Sequence, residues 1–197
     1  GFAGLAAAYE LHAAGYDVSV FDARDRLGGR VLSFNAAMGN EYIKGRNIEG
    51  GAELIGSNHP AWVAYAAKFG LEFLPVTEDE GEAVYPVEID GKMLDNDAAS
   101  NVWDEMKEGL SKMNALAEPV PEDEPWKAPD AAKLDATSIA AWIATLEVSD
   151  LCKKAMLINQ MSDNGQDPAR QSLLGQLAAV KGGGLDRFWS ESEVYRC

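Results

Sequence analysis

Cysteine is almost missing from this chain. There are two in 197 residues, Cys152 and Cys197, far apart and without metal-ligand spacing. That excludes a disulfide framework and makes a reducing, cytoplasmic compartment the expectation. Cys152 falls inside a helical pattern and reads as a small core residue. Histidine is as scarce, with only His12 and His59, and no metal site is expected. Positive charge is short: 17 Lys and Arg stand against 32 Asp and Glu, giving a net charge of −15 and a pI near 4.4. A nucleic-acid backbone is repelled by such a field, so that class of partner is excluded. No apolar run approaches the roughly 20 residues of a membrane-spanning helix.

What is present is ordinary for a globular chain, 47 % hydrophobic and 25 % charged. The length allows one large domain or two small lobes. Acidic clusters at Glu78-Asp79-Glu80 and Glu122-Asp123-Glu124 read as solvated surface, with attraction of a cationic substrate as the weaker alternative.

The informative residues come first. Gly1-Phe2-Ala3-Gly4 runs straight into a helical stretch, Leu5 to Ala14. Small and apolar positions there would let the helix lie close to a sheet, and Gly15 can supply a left-handed stop. Val18 and Val20 alternate with polar neighbours as in a strand, which ends at Asp22, 18 residues after Gly4. This is the back half of the dinucleotide fingerprint G-x-G-x-x-G with its acid. Gly1 and Gly4 fit the second and third glycines, and the first glycine with its strand is expected to precede them. A Cβ at Gly1 would block a pyrophosphate from the helix N-terminus, where Phe2 and Ala3 offer their amides. One at Gly4 would push the helix from its neighbouring strand. Asp22 is placed to accept both hydroxyls of a ribose.

Further on, Ala23-Arg24-Asp25-Arg26-Leu27-Gly28-Gly29-Arg30 reads as a tight loop. Gly50-Gly51-Ala52 and Gly56 form a second glycine-rich passage. Ser57 or Asn58 can cap a helix that begins near Pro60 and ends at Gly70. In that helix Trp62, Tyr65 and Phe69 read as packing residues. A short strand is expected over 71–76. A hairpin is expected from Val84 to Leu94, turning at Asp90-Gly91. Helical patterns follow near 97–116, with Trp103, Met106 and Met113 as core, and near 136–146, 149–161 and 168–180, the last broken by Gly182-Gly183-Gly184. A Pro- and acid-rich loop occupies 118–130. The chain is thus glycine-rich α/β before about residue 76 and a hairpin plus helices after it. His12 is expected on the outer face of the first helix, and His59 at the start of the one that follows.

Asp22-Ala23-Arg24-Asp25-Arg26-Leu27-Gly28-Gly29-Arg30 resembles the strand-end signature of the flavin-dependent amine oxidase superfamily, which ordinary nicotinamide dehydrogenases lack. Two further blocks are similar to the same family: Gly50-Gly51-Ala52-Glu53-Leu54-Ile55-Gly56, and Lys181 to Trp189 continuing to Cys197. The resemblance spans essentially the whole chain. It implies an α/β fold, with a Rossmann-like FAD lobe over 1–76 and part of an α+β substrate lobe over 77–197 that returns towards the first. It also implies that Gly28 and Gly29 fold over the FAD diphosphate and that Arg30 grips its oxygens in a forked geometry. Gly51, Ala52, Glu53 and Leu54 would run beneath the flavin ring. Arg24, Ala23 and Asp22 belong to the same cofactor set.

The activity implied is oxidation of a primary amine or amino acid to an imine, with O2 returning the flavin to its oxidised form and giving H2O2. No catalytic residue is nominated, because in this family those residues come from a later part of the chain. Many L-amino acid oxidases of the family carry Gly-Ala-Met-Arg where this chain has Gly51-Ala52-Glu53-Leu54, which weakens that subtype. Flavin-dependent desaturases of carotenoids and oxidases of porphyrinogens share the Gly-Gly-Arg signature and remain an alternative. So does a non-catalytic binding protein of the GDP-dissociation-inhibitor kind. The oligomeric state is open, a homodimer included. The chain is expected to be an N-terminal fragment, inactive alone.

Overall fold

In the computed structural model, which describes residues 1–76 and 86–196, the first helix, α1, spans Phe2–Ala13. It is dominated by alanine, with leucine beside it, the residues that cost least in a helix. It ends at Gly15, with φ 88°. There Gly15 N–H donates to His12 O (2.9 Å) and Tyr16 N–H to Leu11 O (3.1 Å), a Schellman closure. The strand expected up to Asp22 does not form. Among the described residues no backbone group of residues 17–21 has a hydrogen-bond partner, and a segment without a ladder is not a strand.

For the same reason α1 does not lie on a sheet. It meets α2 (Pro60–Phe69) instead. Phe2 and Trp62 approach to 4.3 Å between ring centroids, and Tyr9 and Phe69 to 5.2 Å. Glu10 accepts from the Tyr65 hydroxyl (2.9 Å) and from Lys68 Nζ (3.0 Å). Lys68 first, and then Tyr65, holds the Glu10 carboxyl below its ordinary range. No residue of α1 is buried. An apolar groove of about 630 Å³ stays open along the two helices, lined by Leu5, Tyr9, Val20, Trp62 and Phe69 among others. His12 is exposed, as expected, and lines the same groove.

Two antiparallel strands that the periodicity does not announce follow: β1 (Leu32–Phe34) and β2 (Ile48–Gly51). Ser33 Oγ donates to Glu49 Oε2 at 2.6 Å across the pair. The next strand, β3 (Leu54–Ile55), leads into α2. Proline opens that helix and Gly70, at φ 67°, closes it. Its N-cap is His59 and not Ser57 or Asn58, whose side chains are engaged elsewhere. The strand expected over 71–76 shrinks to β4 (Leu74–Pro75).

The hairpin forms as expected where it is described: β5 (Glu88–Ile89) and β6 (Lys92–Met93) turn on Asp90 (φ 57°) and Gly91 (φ 70°). Two left-handed residues make the turn whose twist suits a hairpin. The Glu78-Asp79-Glu80 run, residues 84–85 and Cys197 lie outside the described residues.

The helical part supplies most of the core. Asp95 Oδ1 accepts from Ala98 N–H (2.8 Å) and starts α3 (Asn96–Ala117). Ala99, Val102, Met106, Gly109, Met113 and Ala117 are its buried stripe, at the three- and four-residue spacing of one helix face. Trp103 is a correction: it is 49 % exposed, one residue and so about 100° round from Val102. The helix expected over 136–146 is α5 (Ile139–Ala144), and a separate short helix, α4 (Ala131–Ala136), not anticipated, precedes it.

After α6 (Asp150–Asn164), the pattern near 168–180 is a 3-10 turn at Pro168–Arg170 and then α7 (Leu173–Gly182). The cause is shared. Ser138 caps α5 and Ser172 caps α7. The two extended caps pair with each other, Ile139 N–H to Gln171 O (3.0 Å) and Leu173 N–H to Thr137 O (2.9 Å). Missing a Cβ at Gly109 lets Met156 of α6 sit close, since an added one would lie 2.9 Å from its Cε. Cys152 is fully buried among these helices. Burial, with Glu105 adding to it, pushes its thiol up to about 11.

The chain then returns. α8 (Asp186–Glu191), a helix not anticipated, follows the glycine run, and β7 (Tyr195–Arg196) enters between β3 and β4, antiparallel to both. Ser57 Oγ donates to Glu191 Oε2 (2.5 Å). Asn58 Nδ2 donates to Gly183 O (3.0 Å) and Ser192 Oγ (3.1 Å). A Cβ at Gly56 would lie 2.5 Å from Glu191 O, so glycine permits the contact. Arg187 grips Glu191 with two bonds of 2.9 Å.

Met113→Ala should cost about 2–5 kcal/mol, read from denaturant unfolding; a change under 1 kcal/mol would contradict the core described here. The clasp at Glu191 should depend on pH. Arg187, then Ser57, lowers the Glu191 carboxyl below its ordinary 4.5. A depressed folded-state value gives stability that is present above about 4.5 and lost as pH falls through that lower value. Amide exchange at Ser57 and Val76, corrected for intrinsic rate, should therefore accelerate on acidification below pH 4.5, and Glu191→Gln should flatten that dependence.

Candidate cofactor-binding site

The site is built from bare backbone. Gly1 is the N-cap of α1 and carries no capping side chain. The first helical bond runs from Leu5 N–H to Gly1 O (3.2 Å), so the amides of Phe2, Ala3 and Gly4 have no intrahelical acceptor. Opposite them lies the turn at Gly28 (φ 104°) and Gly29 (φ 63°), both left-handed. The two pieces touch through main chain. A Cβ on Gly1 would come 3.0 Å from Gly28 O, and one on Gly29 would come 3.3 Å from Gly1 N. Gly28 is tighter still, with an added Cβ 2.8 Å from Val31 O. Glycine is required here for both conformation and approach.

Between these segments is a cavity of about 830 Å³. Gly1, Phe2, Ala3, Gly4, Arg24, Gly28, Gly29, Arg30 and Ala52 all line it, joined by Val31. The structure therefore brings together nine of the residues that sequence reasoning singles out. Asp22, Ala23, Gly51, Glu53 and Leu54 do not line it. Asp22 Oδ1 accepts from Arg24 N–H at 3.1 Å. Gly51 opposes Leu32 across β1 and β2 and backs onto Arg30 O. Leu54 pairs with Arg196 in β3. Gly4 also differs from expectation. Nothing among the described residues lies within 4 Å of a Cβ built there, because no strand packs against α1.

Charge around the cavity runs against the charge of the chain. Two guanidinium groups, Arg24 and Arg30, line it in a protein of net charge −15. Arg24 Nη1 donates to Gly29 O at 3.0 Å. Arg30 is exposed and has no hydrogen-bond or ion-pair partner among the described residues. Ala52 holds φ 63°, a left-handed conformation that costs a non-glycine residue about 1–2 kcal/mol. Such strain collects where a backbone must follow a ligand. His59 is accounted for locally: its Nδ1 accepts from Gly56 N–H at 3.0 Å, ahead of α2. Free amides at a helix end, a second glycine turn and an unpaired guanidinium are the donors a diphosphate takes up, so the site fits the phosphate bridge of a dinucleotide.

A model of the flavin containing amine oxidoreductase family matches residues 2–190. The chain belongs to that family. Its expected cofactor, FAD, agrees with this membership. AofH of Mycobacterium tuberculosis, provisionally named a flavin-containing monoamine oxidase, is 30 % identical over 95 % of the chain and 40 % of its own length. Putrescine oxidase of Kocuria rosea is 32 % identical over 73 % of the chain and 29 % of its own. The solved structure of cyclohexylamine oxidase from Brevibacterium oxydans superposes with a TM-score of 0.75 at 25 % identity, over 96 % of this chain and 42 % of that one. The chain thus spans about two fifths of AofH and less of the putrescine oxidase. The α/β class expected from the glycine motifs agrees with these folds.

Proposed function

We propose that the whole protein is an FAD-dependent amine oxidase acting on a primary amine or an amino acid, and that residues 1–76 form its cofactor lobe and 77–197 part of its substrate lobe. The observation that carries the reading is the cavity where bare amides at the start of α1 face the Gly28-Gly29 turn beside Arg30. The amides of Phe2, Ala3 and Gly4 would donate to one side of the diphosphate. Arg30 would close the other side with a forked pair of bonds. Asp22 would accept ribose hydroxyls through Oδ2, its Oδ1 being held by the Arg24 amide. Gly51 and Ala52 would carry their backbone past the flat ring, and the strained φ of Ala52 fits such a path.

FAD bound there supplies a two-electron acceptor that takes hydride from the carbon bearing the amine, leaving an imine for water to hydrolyse and reduced cofactor for O2 to reoxidise with release of H2O2. Relatives named for putrescine and cyclohexylamine support an amine as substrate. Glu53-Leu54, at the place of the Met-Arg pair of many L-amino acid oxidases, points the same way.

Magnitudes rank the contacts. A charged hydrogen bond is worth about 1.5–3 kcal/mol, whereas a helix terminus adds about 0.3–1 kcal/mol. Arg30→Gln should therefore weaken FAD by about tenfold or more, and Asp22→Ala should weaken it as well, both read by quenching of flavin fluorescence. Unchanged affinity in both would remove the assigned contacts. The whole protein should purify with the absorbance of oxidised flavin and release peroxide with an amine. A colourless protein that cannot be loaded with FAD would overturn the reading.

A further inference from the structure

The Gly28-Gly29 turn is held by a residue outside the cavity. Arg26 is half-buried and does not line the cavity. Its guanidinium donates to three backbone oxygens of the turn: Gly29 O through Nη2 at 2.7 Å, and Leu27 O and Val31 O through Nη1, each at 3.2 Å. Arg24 adds a bond to Gly29 O at 3.0 Å. Within the turn itself one backbone bond, Val31 N–H to Gly28 O at 3.0 Å, closes the loop.

In a trans peptide the C=O and the N–H point in opposite directions. Fixing Leu27 O on Arg26 therefore fixes the Gly28 N–H on the far side of that peptide. Fixing Gly29 O does the same for the Arg30 N–H. Gly28 and Arg30 both line the cavity, whereas Arg26 does not. Carbonyl oxygens left free in this turn would repel an anion as readily as its amides attract one. Two left-handed glycines in succession are also flexible unless something fixes them.

We propose that Arg26 is a positioning residue for the anion cradle: by clasping the carbonyls of Leu27, Gly29 and Val31 it turns the Gly28 and Arg30 amides towards the ligand. The proposal rests on the diphosphate reading above for its ligand, and on the hydrogen bonds for its geometry. Arg30 contributes charge to the ligand directly; Arg26 contributes the shape of the loop. The two roles separate in experiment. Lysine keeps the charge at 26 but offers one compact ammonium, which cannot span three carbonyls as a planar fork does. Salt screens an exposed charge acting at a distance and leaves loop geometry unchanged.

The test uses the whole protein, with FAD binding read by fluorescence quenching across ionic strength and amide exchange of residues 28–31 read without ligand. Arg26→Gln and Arg26→Lys should each weaken FAD by about tenfold while keeping the wild-type salt dependence, and should speed exchange at Val31. Arg30→Gln should flatten the salt dependence and leave that exchange alone. Gly28→Ala, strained at φ 104° and crowding Val31 O, should reach the Arg26→Gln phenotype by a separate route. Wild-type affinity in Arg26→Lys would reduce Arg26 to a charge, and unchanged exchange in Arg26→Gln would remove the clasp; either overturns the proposal. Should wild-type protein bind no FAD, the diphosphate reading falls, and the exchange rates still decide whether Arg26 shapes the turn.

Discussion

Two stretches of main chain meet without side chains between them where Gly1 faces Gly28 and Gly29. A Cβ at any of the three would fall within 2.8–3.3 Å of backbone atoms. The contact places the unpaired amides of α1 beside a left-handed turn, and the space left over is the cavity. Its walls are otherwise sparse. None of residues 1–54 is buried among the described residues. There α1 is held on α2 by ring contacts, and the Gly28-Gly29 turn by bonds from Arg24 and Arg26 to its carbonyls.

The other half of the chain is organised differently. From α3 to α7 the helices bury a continuous set of apolar side chains, with Met113, Ile139, Ile143, Met156, Leu177 and Val180 almost wholly enclosed. The glycine-rich part is tied to it by the return of the chain after α8, where β7 completes a three-stranded sheet and Ser57, Asn58 and Gly56 receive residues 183–192. Segment 54–59 is therefore positioned by residues more than 120 places away. The path of Ala52, just before it, is set between this clasp and the pairing of Gly51 with Leu32.

Much of this was legible in the residues, for local reasons. Gly15, Gly70 and Asp90-Gly91 act as stop and turn signals whose left-handed conformations need no distant partner. Gly28 and Gly29 were legible as a tight loop because two adjacent glycines sit between charged residues, whereas their place over a diphosphate came only from the family resemblance. What could not be read depended on partners. Val18 and Val20 alternate as a strand should, yet none of the described residues pairs with them. Ser138 and Ser172 look like residues within helices, and become caps because each stabilises the other's extended backbone. Ser57 and Asn58 have the chemistry of caps and spend it on Glu191, Gly183 and Ser192 instead. Arg26 carried no distinguishing mark beside Arg24 and Arg30, since its role lies in which carbonyls it reaches.

By itself the order of residues determined the chemistry on offer: glycines where backbone must be bare, arginines next to them, and an acid after an extended run. It also determined where α1 and α2 stop, at Gly15 and Gly70, because a left-handed stop acts within a single turn. Only the folded chain decided which arginine faces the cavity and which faces the loop, and that Asp22 stands outside the cavity wall while Ala52 stands in it. Those outcomes turn on the direction each side chain takes from a loop folded back on itself and on how that loop meets α1 and Ala52, which residue type alone does not encode.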